Sequence, residues 1–267
     1  MQSRHTLLAV IAISILLPLL RGLAPLTDEA LSAPLAIEVL EAVMDLMPGK
    51  PMPSDALLVD GIDKEQFRGI YEVLNEIDTG RATLALIERY SISISFEAEG
   101  GTRFNPTTNQ IIMKRGYDTE LAALALIHEA KHARYHLEGT AADVRSHNRE
   151  TYVAMKVREE AEAIAADIEA KIELEALASE QDLAESTGPH PKLEDIYRSA
   201  YESAGEAAEA GDHGLSDETL KTIARNSAKQ EVFEALMEFK AVTSNTRKTY
   251  PFKWGEYWDE MNDHGEG

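Results

Sequence analysis

Cysteine is missing from all 267 positions. Its absence excludes disulfides, thiolate zinc sites and cysteine nucleophiles. A metal ion in this chain can be held only by His, Asp or Glu. Aromatic residues are scarce, at 6%, while Ala, Glu and Leu abound. That balance favours helices. Basic residues are also in short supply: 26 Lys and Arg face 47 Asp and Glu, a formal net charge of −21. Such a polyanion is repelled by phosphate backbones, so nucleic acid is not expected as a partner. The charge favours basic substrates, or is simply a solvated acidic surface. No Gly-rich phosphate loop of the Walker or Rossmann type occurs. Hydrophobic residues still make up 44% of the chain. That is enough for the core of one large domain or two small ones.

Long apolar runs are few, and the longest lies at the N-terminus. Residues Leu7 to Leu20 read LLAVIAISILLPLL, preceded by Arg4 and His5. A basic start followed by a run of this length has the form of a signal peptide. It falls short of the roughly 20 residues that a membrane span needs. Small-residue stretches follow at Ala30-Leu31-Ser32 and Ala33-Pro34-Leu35-Ala36. Segment 1–36 is therefore expected to be a signal peptide or an N-terminal membrane anchor. The protein is expected to be exported, periplasmic or secreted, or anchored to the membrane by residues 7–20.

The rest of the chain divides into expected elements. Pro34–Leu46 reads as a short helix and Pro51–Asp60 as a loop. Lys64–Ile77 and Ala82–Tyr90 carry helical spacing, with Asp78-Thr79-Gly80 between them. Ser91–Phe96 alternates polar and apolar residues, the mark of a half-buried strand. Gln110–Lys114 reads as its return strand, giving a β-hairpin around the turn residues Gly100, Gly101, Asn105 and Pro106. A helix follows from about Thr119 to Leu137, with Asp118 to cap it and Gly139 to end it. A second long helix is expected over Arg149–Leu177. Glu185–Pro191 reads as a linker. Helices are expected near Leu193–Ala210 and Asp217–Ala241, the last capped by Ser216. The tail from Tyr250 is aromatic, then acidic, and is expected to be irregular. Tyr250, Trp254, Tyr257 and Trp258 suit the lining of a cleft, or more commonly the packing of a tail onto the body.

The chemical signal is His128-Glu129-x-x-His132. On a helix, positions i and i+4 share one face. Two imidazoles so placed can hold one zinc ion at about 2.0–2.1 Å. Glu129 is displaced around the helix, so it suits a general base acting on a water at the metal. Leu121, Leu124, Ala125, His128, His132 and Tyr135 lie on one face, so both histidines point inward. A lone inward histidine is usually a satisfied core residue, but a pair enclosing a glutamate is harder to explain that way.

Leu124-Ala125-Leu126-Ile127-His128-Glu129-Ala130-Lys131-His132-Ala133 resembles the active-site helix of zincin metallopeptidases. The preceding Phe104-Asn105-Pro106-x-x-Asn109-Gln110-Ile111-Ile112 resembles the strand before that helix in small gluzincin-like metallopeptidases. The resemblance spans about residues 91–170. It implies an α+β, predominantly helical fold, with a zincin-like active-site helix preceded by a β-hairpin and a helical C-terminal part. It implies Zn2+ as cofactor, a strand bordering the cleft, and a peptide or protein as substrate. The expected division is a metallopeptidase domain over 37–184 and a helical C-terminal extension over 185–267. The competing expectation is an exported, non-catalytic helical interaction or metal-binding protein with a degenerate motif.

A third ligand is needed, with the fourth position left for water. Glu160 falls on the apolar face marked by Val153, Val157, Ile164 and Ile168, where a carboxylate is costly unless paired or bound to metal. Gluzincin-like families take this ligand from a Glu on a later helix, and Glu159-Glu160-Ala161-Glu162-Ala163 resembles that run. The acidic residue usual four positions later is replaced by Ile164, which leaves Glu159 open beside Glu160. Gly139-Thr140-Ala141-Ala142-Asp143 resembles the aspzincin element and makes Asp143 an alternative, though Ser146-His147 stand where Tyr-Gly would follow. His136 lies too far along a straight helix to join the same ion and reads as a rim residue. His147 is a weaker alternative. Peptidases of this kind use a Tyr, His or Arg to stabilise the oxyanion, and Tyr135, Tyr152 and Arg158 lie nearby in sequence, none singled out.

Overall fold

The computed structural model describes residues 64–177, 190–211, 215–238, 240–243 and 246–263. The expected signal segment, the Pro34–Leu46 helix, the Pro51–Asp60 loop and the 184/185 domain boundary lie outside the described residues. The chain runs α1 (Lys64–Glu76), α2 (Asp78–Arg89), β1 (Ser93–Glu97), β2 (Arg103–Asn105), β3 (Gln110–Lys114), α3 (Thr119–Leu137), α4 (Arg149–Leu177), α5 (Pro191–Gly211), α6 (Asp217–Met237) and α7 (Tyr250–Asn262). It is a predominantly helical α+β fold with one small sheet. No described helix is long and apolar enough to cross a membrane.

The sheet differs from expectation. Its order is β1-β3-β2, and β1 runs parallel to β3, with Ile94 opposite Ile111. Ser91–Phe96 and Gln110–Lys114 are thus not the two arms of a hairpin. The hairpin is β2–β3, antiparallel, with Phe104 opposite Ile111. The reason lies in β3, where Ile111, Ile112 and Met113 are all buried. Three consecutive apolar residues suit a central strand covered on both faces, whereas β1 buries only alternate residues. With β3 in the middle, β1 and β2 are the two edge strands.

Asp78-Thr79-Gly80 was expected to separate two helices, and it forms the first turn of α2 instead. Thr79 donates to Glu173 of α4 through its amide (2.9 Å) and its hydroxyl (2.8 Å). Gly80 permits close contact between α1 and α2: a Cβ there would lie 2.6 Å from Leu74 Cα and overlap the Leu74 carbonyl. Since the clash is with backbone, Gly80→Ala is expected to cost about 1–3 kcal/mol of stability. A lowered denaturation midpoint with an unchanged slope would show it.

Helix α3 begins as expected, with Asp118 accepting from Leu121 N (2.8 Å). It ends at Glu138, and Gly139 follows with φ of 70°, the left-handed turn that glycine adopts freely. Helix α4 is buried on two sides. Ala166 and Ala170 belong to the core formed by α1, α2, the sheet and α3. Val153, Val157, Ile164 and Ile168 face a second core with Leu193 and Tyr197 of α5 and Val232 and Leu236 of α6. Alanines at the α3–α4 contact let the backbones approach closely.

The tail from Tyr250 is helix α7, not irregular chain. Pro251 starts it well, because proline needs no amide partner in the first turn. Its inner face docks on α4 and the loop before it. Tyr250 is buried, Trp258 Nε1 donates to the His147 carbonyl (3.0 Å), and Arg149 pairs with Asp259 (2.8 Å). Aromatic anchoring of the tail was expected; its helical form was not.

Candidate metal centre

Helices α3 and α4 pack antiparallel, joined by residues 138–148. The register is visible in two cross-helix bonds. His128 Nδ1 meets Asp167 Oδ2 at 2.9 Å, and one turn on, His132 Nδ1 meets Glu159 Oε1 at 2.8 Å. Both carboxylates are buried, at 4% exposure. Each therefore holds its histidine as the tautomer with the proton on Nδ1, leaving Nε2 free to bind.

The two Nε2 atoms face each other at 3.1 Å. Two lone pairs that close repel unless a cation lies between them, either a proton or a metal ion. A tetrahedral zinc with bonds of 2.0–2.1 Å would separate two nitrogens by about 3.3 Å. Glu160 joins them: one ligand atom from each of His128, His132 and Glu160 lies within 4.8 Å of the others. The Nε2 spacing suits two nitrogens on one ion, and Glu160, within 4.8 Å, is the carboxylate placed to complete a His, His, Glu group of the kind that zinc takes.

The structure thus separates the candidates of α4. Glu160 lies beside the Nε2 pair, while Glu159 sits behind His132, held also by Lys156 Nζ at 2.6 Å. Burial would push the Glu159 carboxyl up, but His132 and Lys156 together hold it below its usual range. Asp143 is fully exposed and stands apart, its carboxylate taken up by Ser146 Oγ (2.5 Å) and Arg145 N (3.0 Å). Those bonds keep it ionised below the usual carboxylate range. His147 turns back on the Asp143 carbonyl (3.0 Å). His136 sits one turn beyond His132, with its ring 5.8 Å from that of Phe104.

Glu129 lies between the centre and the sheet edge. Its Oε2 accepts from the Phe104 amide of β2 at 2.8 Å. Burial raises its pKa, against the pull of the two imidazoles and the amide. The carboxyl is thus a better proton acceptor than an exposed one, and it is fixed in place. For His128, burial works against the charged form, but the charge and hydrogen bond of Asp167 outweigh it. The imidazole is pushed up to about 9.

Asp167, His190 and Lys253 near the centre are not singled out by the sequence, and Tyr250 only as a residue that could line a cleft. Asp167 was the findable one, as the lone charge in Ala163-Ile164-Ala165-Ala166-Asp167-Ile168, by the argument that singled out Glu160. It stands seven residues after Glu160, on the same helical face, and supplies the acidic partner that Ile164 does not. One of its oxygens, Oδ1, is buried without a partner. His190, expected in a linker, immediately precedes α5, its carbonyl accepting from Leu193 N and Glu194 N, and lies near His128, Glu160 and Asp167; burial lowers its pKa. Tyr250 and Lys253 of α7 lie within electrostatic range of Glu160. Nothing local in sequence ties these three to the centre.

Comparison with protein-family models, curated proteins and solved structures finds no match to this chain. The site's chemistry therefore rests on its own residues.

Proposed function

We propose that the chain is a zinc-dependent peptidase, with His128, His132 and Glu160 as the metal ligands and Glu129 as the general base. The observation that carries this reading is the pair of Nε2 atoms at 3.1 Å beside Glu160. Behind them, each Nδ1 is bonded to a buried carboxylate, as ligand histidines usually are. A bound zinc would supply Lewis-acid polarisation of a peptide carbonyl and would acidify a water.

The chain's own residues do the rest. Asp167 and Glu159 orient the imidazoles. Glu129, held by the Phe104 amide, takes the proton of the attacking water and delivers it to the leaving nitrogen. Tyr250 keeps its proton, because burial, Glu160 and Asp167 all raise its pKa. It is the donor we assign to the developing oxyanion. Tyr250→Phe is expected to lower kcat about 10-fold or more while leaving zinc content unchanged. A loss of zinc in that variant would instead make Tyr250 structural.

Export, or anchoring through residues 7–20, belongs to the same proposal, as does a peptide or protein substrate. The test is cleavage of an unfolded protein by the zinc-loaded chain. Activity should vanish with a chelator and return with zinc. Stoichiometric zinc without cleavage of any unfolded protein would favour a metal-binding protein that is not an enzyme.

A further inference from the structure

A groove of about 380 Å³ runs beside the centre, lined by His136, Ala141, Ala142, Asp143, Tyr152 and Tyr257, among others. Its place is set by His136, one helical turn beyond His132 and in ring contact with Phe104, whose amide holds Glu129. The groove therefore begins where the centre and the sheet edge end.

Its walls have two characters. Ala141 and Ala142 are small and apolar, while Tyr152 of α4 and Tyr257 of α7 stack at 6.3 Å and 21°. The charge is one-sided. Asp143 is the carboxylate in the lining, and among the described residues no Lys or Arg lines it. Arg145 and His147 help hold Asp143 ionised, but neither is part of the wall. Each Asp143 oxygen accepts one hydrogen bond from its own loop, which leaves lone pairs for a further donor.

We propose that this groove is a subsite for a Lys or Arg side chain of the peptide substrate. The aliphatic stem lies along Ala141, Ala142 and the tyrosine pair, and the cationic end meets the Asp143 carboxylate. Tyr257, which is exposed while Tyr152 is buried behind it, adds attraction for the same cation. The net charge of −21 draws basic peptides toward the protein. An apolar aromatic side chain would fill the walls but leave Asp143 unused. The inference rests on the peptidase reading, and names its substrate class.

The test separates the two. Zinc-loaded Glu129→Gln protein is titrated with four fluorescent peptides that differ at one central position: Arg, Lys, norleucine or Glu. Arg and Lys peptides are expected to bind about 2- to 5-fold tighter than the norleucine peptide at low salt, with Glu weakest. Asp143→Asn should bring Arg, Lys and norleucine together. Ala142→Trp, which fills the groove on an exposed loop, should weaken all three. Equal binding of Arg and norleucine peptides, or an equal loss on every peptide in Asp143→Asn, overturns the subsite. If the wild-type chain cleaves peptides without a basic preference, the peptidase reading stands and the subsite fails. If the Asp143-dependent preference appears and no peptide is cleaved, the subsite stands and the peptidase reading fails.

Discussion

Glu129→Gln is expected to lower the turnover of the zinc-loaded protein by about 10²–10⁴-fold, with zinc content and melting temperature unchanged. Glutamine keeps the shape and retains an oxygen that can accept from the Phe104 amide. What it loses is the ability to take a proton. Glu129→Ala would be a poorer test, because it strands that amide as well. A Gln variant with near-normal turnover would remove Glu129 from the chemistry. Since burial makes that charge costly, its loss should not unfold the protein, and a Gln variant that fails to fold would show that the structure depends on the charge. Steady-state kinetics beside zinc analysis and thermal melting distinguish these results.

The second large effect concerns zinc affinity and its pH dependence. Asp167→Asn is expected to weaken zinc binding by about 10–100-fold. The asparagine oxygen can still accept from His128 Nδ1, but the negative charge behind the imidazole is gone. The same charge is what lifts the His128 pKa to about 9 in the metal-free chain. At neutral pH that histidine therefore carries a proton, which zinc must displace. Below about pH 9 the apparent zinc affinity of the wild type should fall roughly tenfold per pH unit, with about one proton released per zinc bound. Above that pH it should flatten. In Asp167→Asn the bend should move to lower pH. Competition with a chelating dye across pH measures both. An affinity independent of pH from 6 to 8 would exclude a protonated His128 in the free protein.

Much of this was legible in the chain because it was written locally. The caps of α3 are single residues, Asp118 and Gly139, each with a role set by neighbouring backbone. The inward face of His128 and His132 follows from helical spacing alone. Glu160 is expected from the cost of a carboxylate among Val157, Ile164 and Ile168; the structure brings it within 4.8 Å of both histidines, while Glu159 is the buried glutamate behind His132 and Asp143 goes elsewhere. Other features were not local. Strand direction depends on which neighbour covers β3, and its three buried residues carried that hint unread. Asp78-Thr79-Gly80 looked like a break because glycine usually is one. Here the glycine serves a close helix contact. His190 and Tyr250 come within electrostatic range of Glu160 and Asp167 because α5 and α7 pack against α4. No spacing within the sequence encodes that placement.

The central claim is that one metal ion sits between His128 and His132. It is tested most directly by the zinc content of the purified full chain, measured by mass spectrometry beside His128→Ala. The account predicts about one zinc per wild-type chain, lost in the variant. No zinc in the wild type after refolding with metal present would contradict it, as would a full complement that survives His128→Ala.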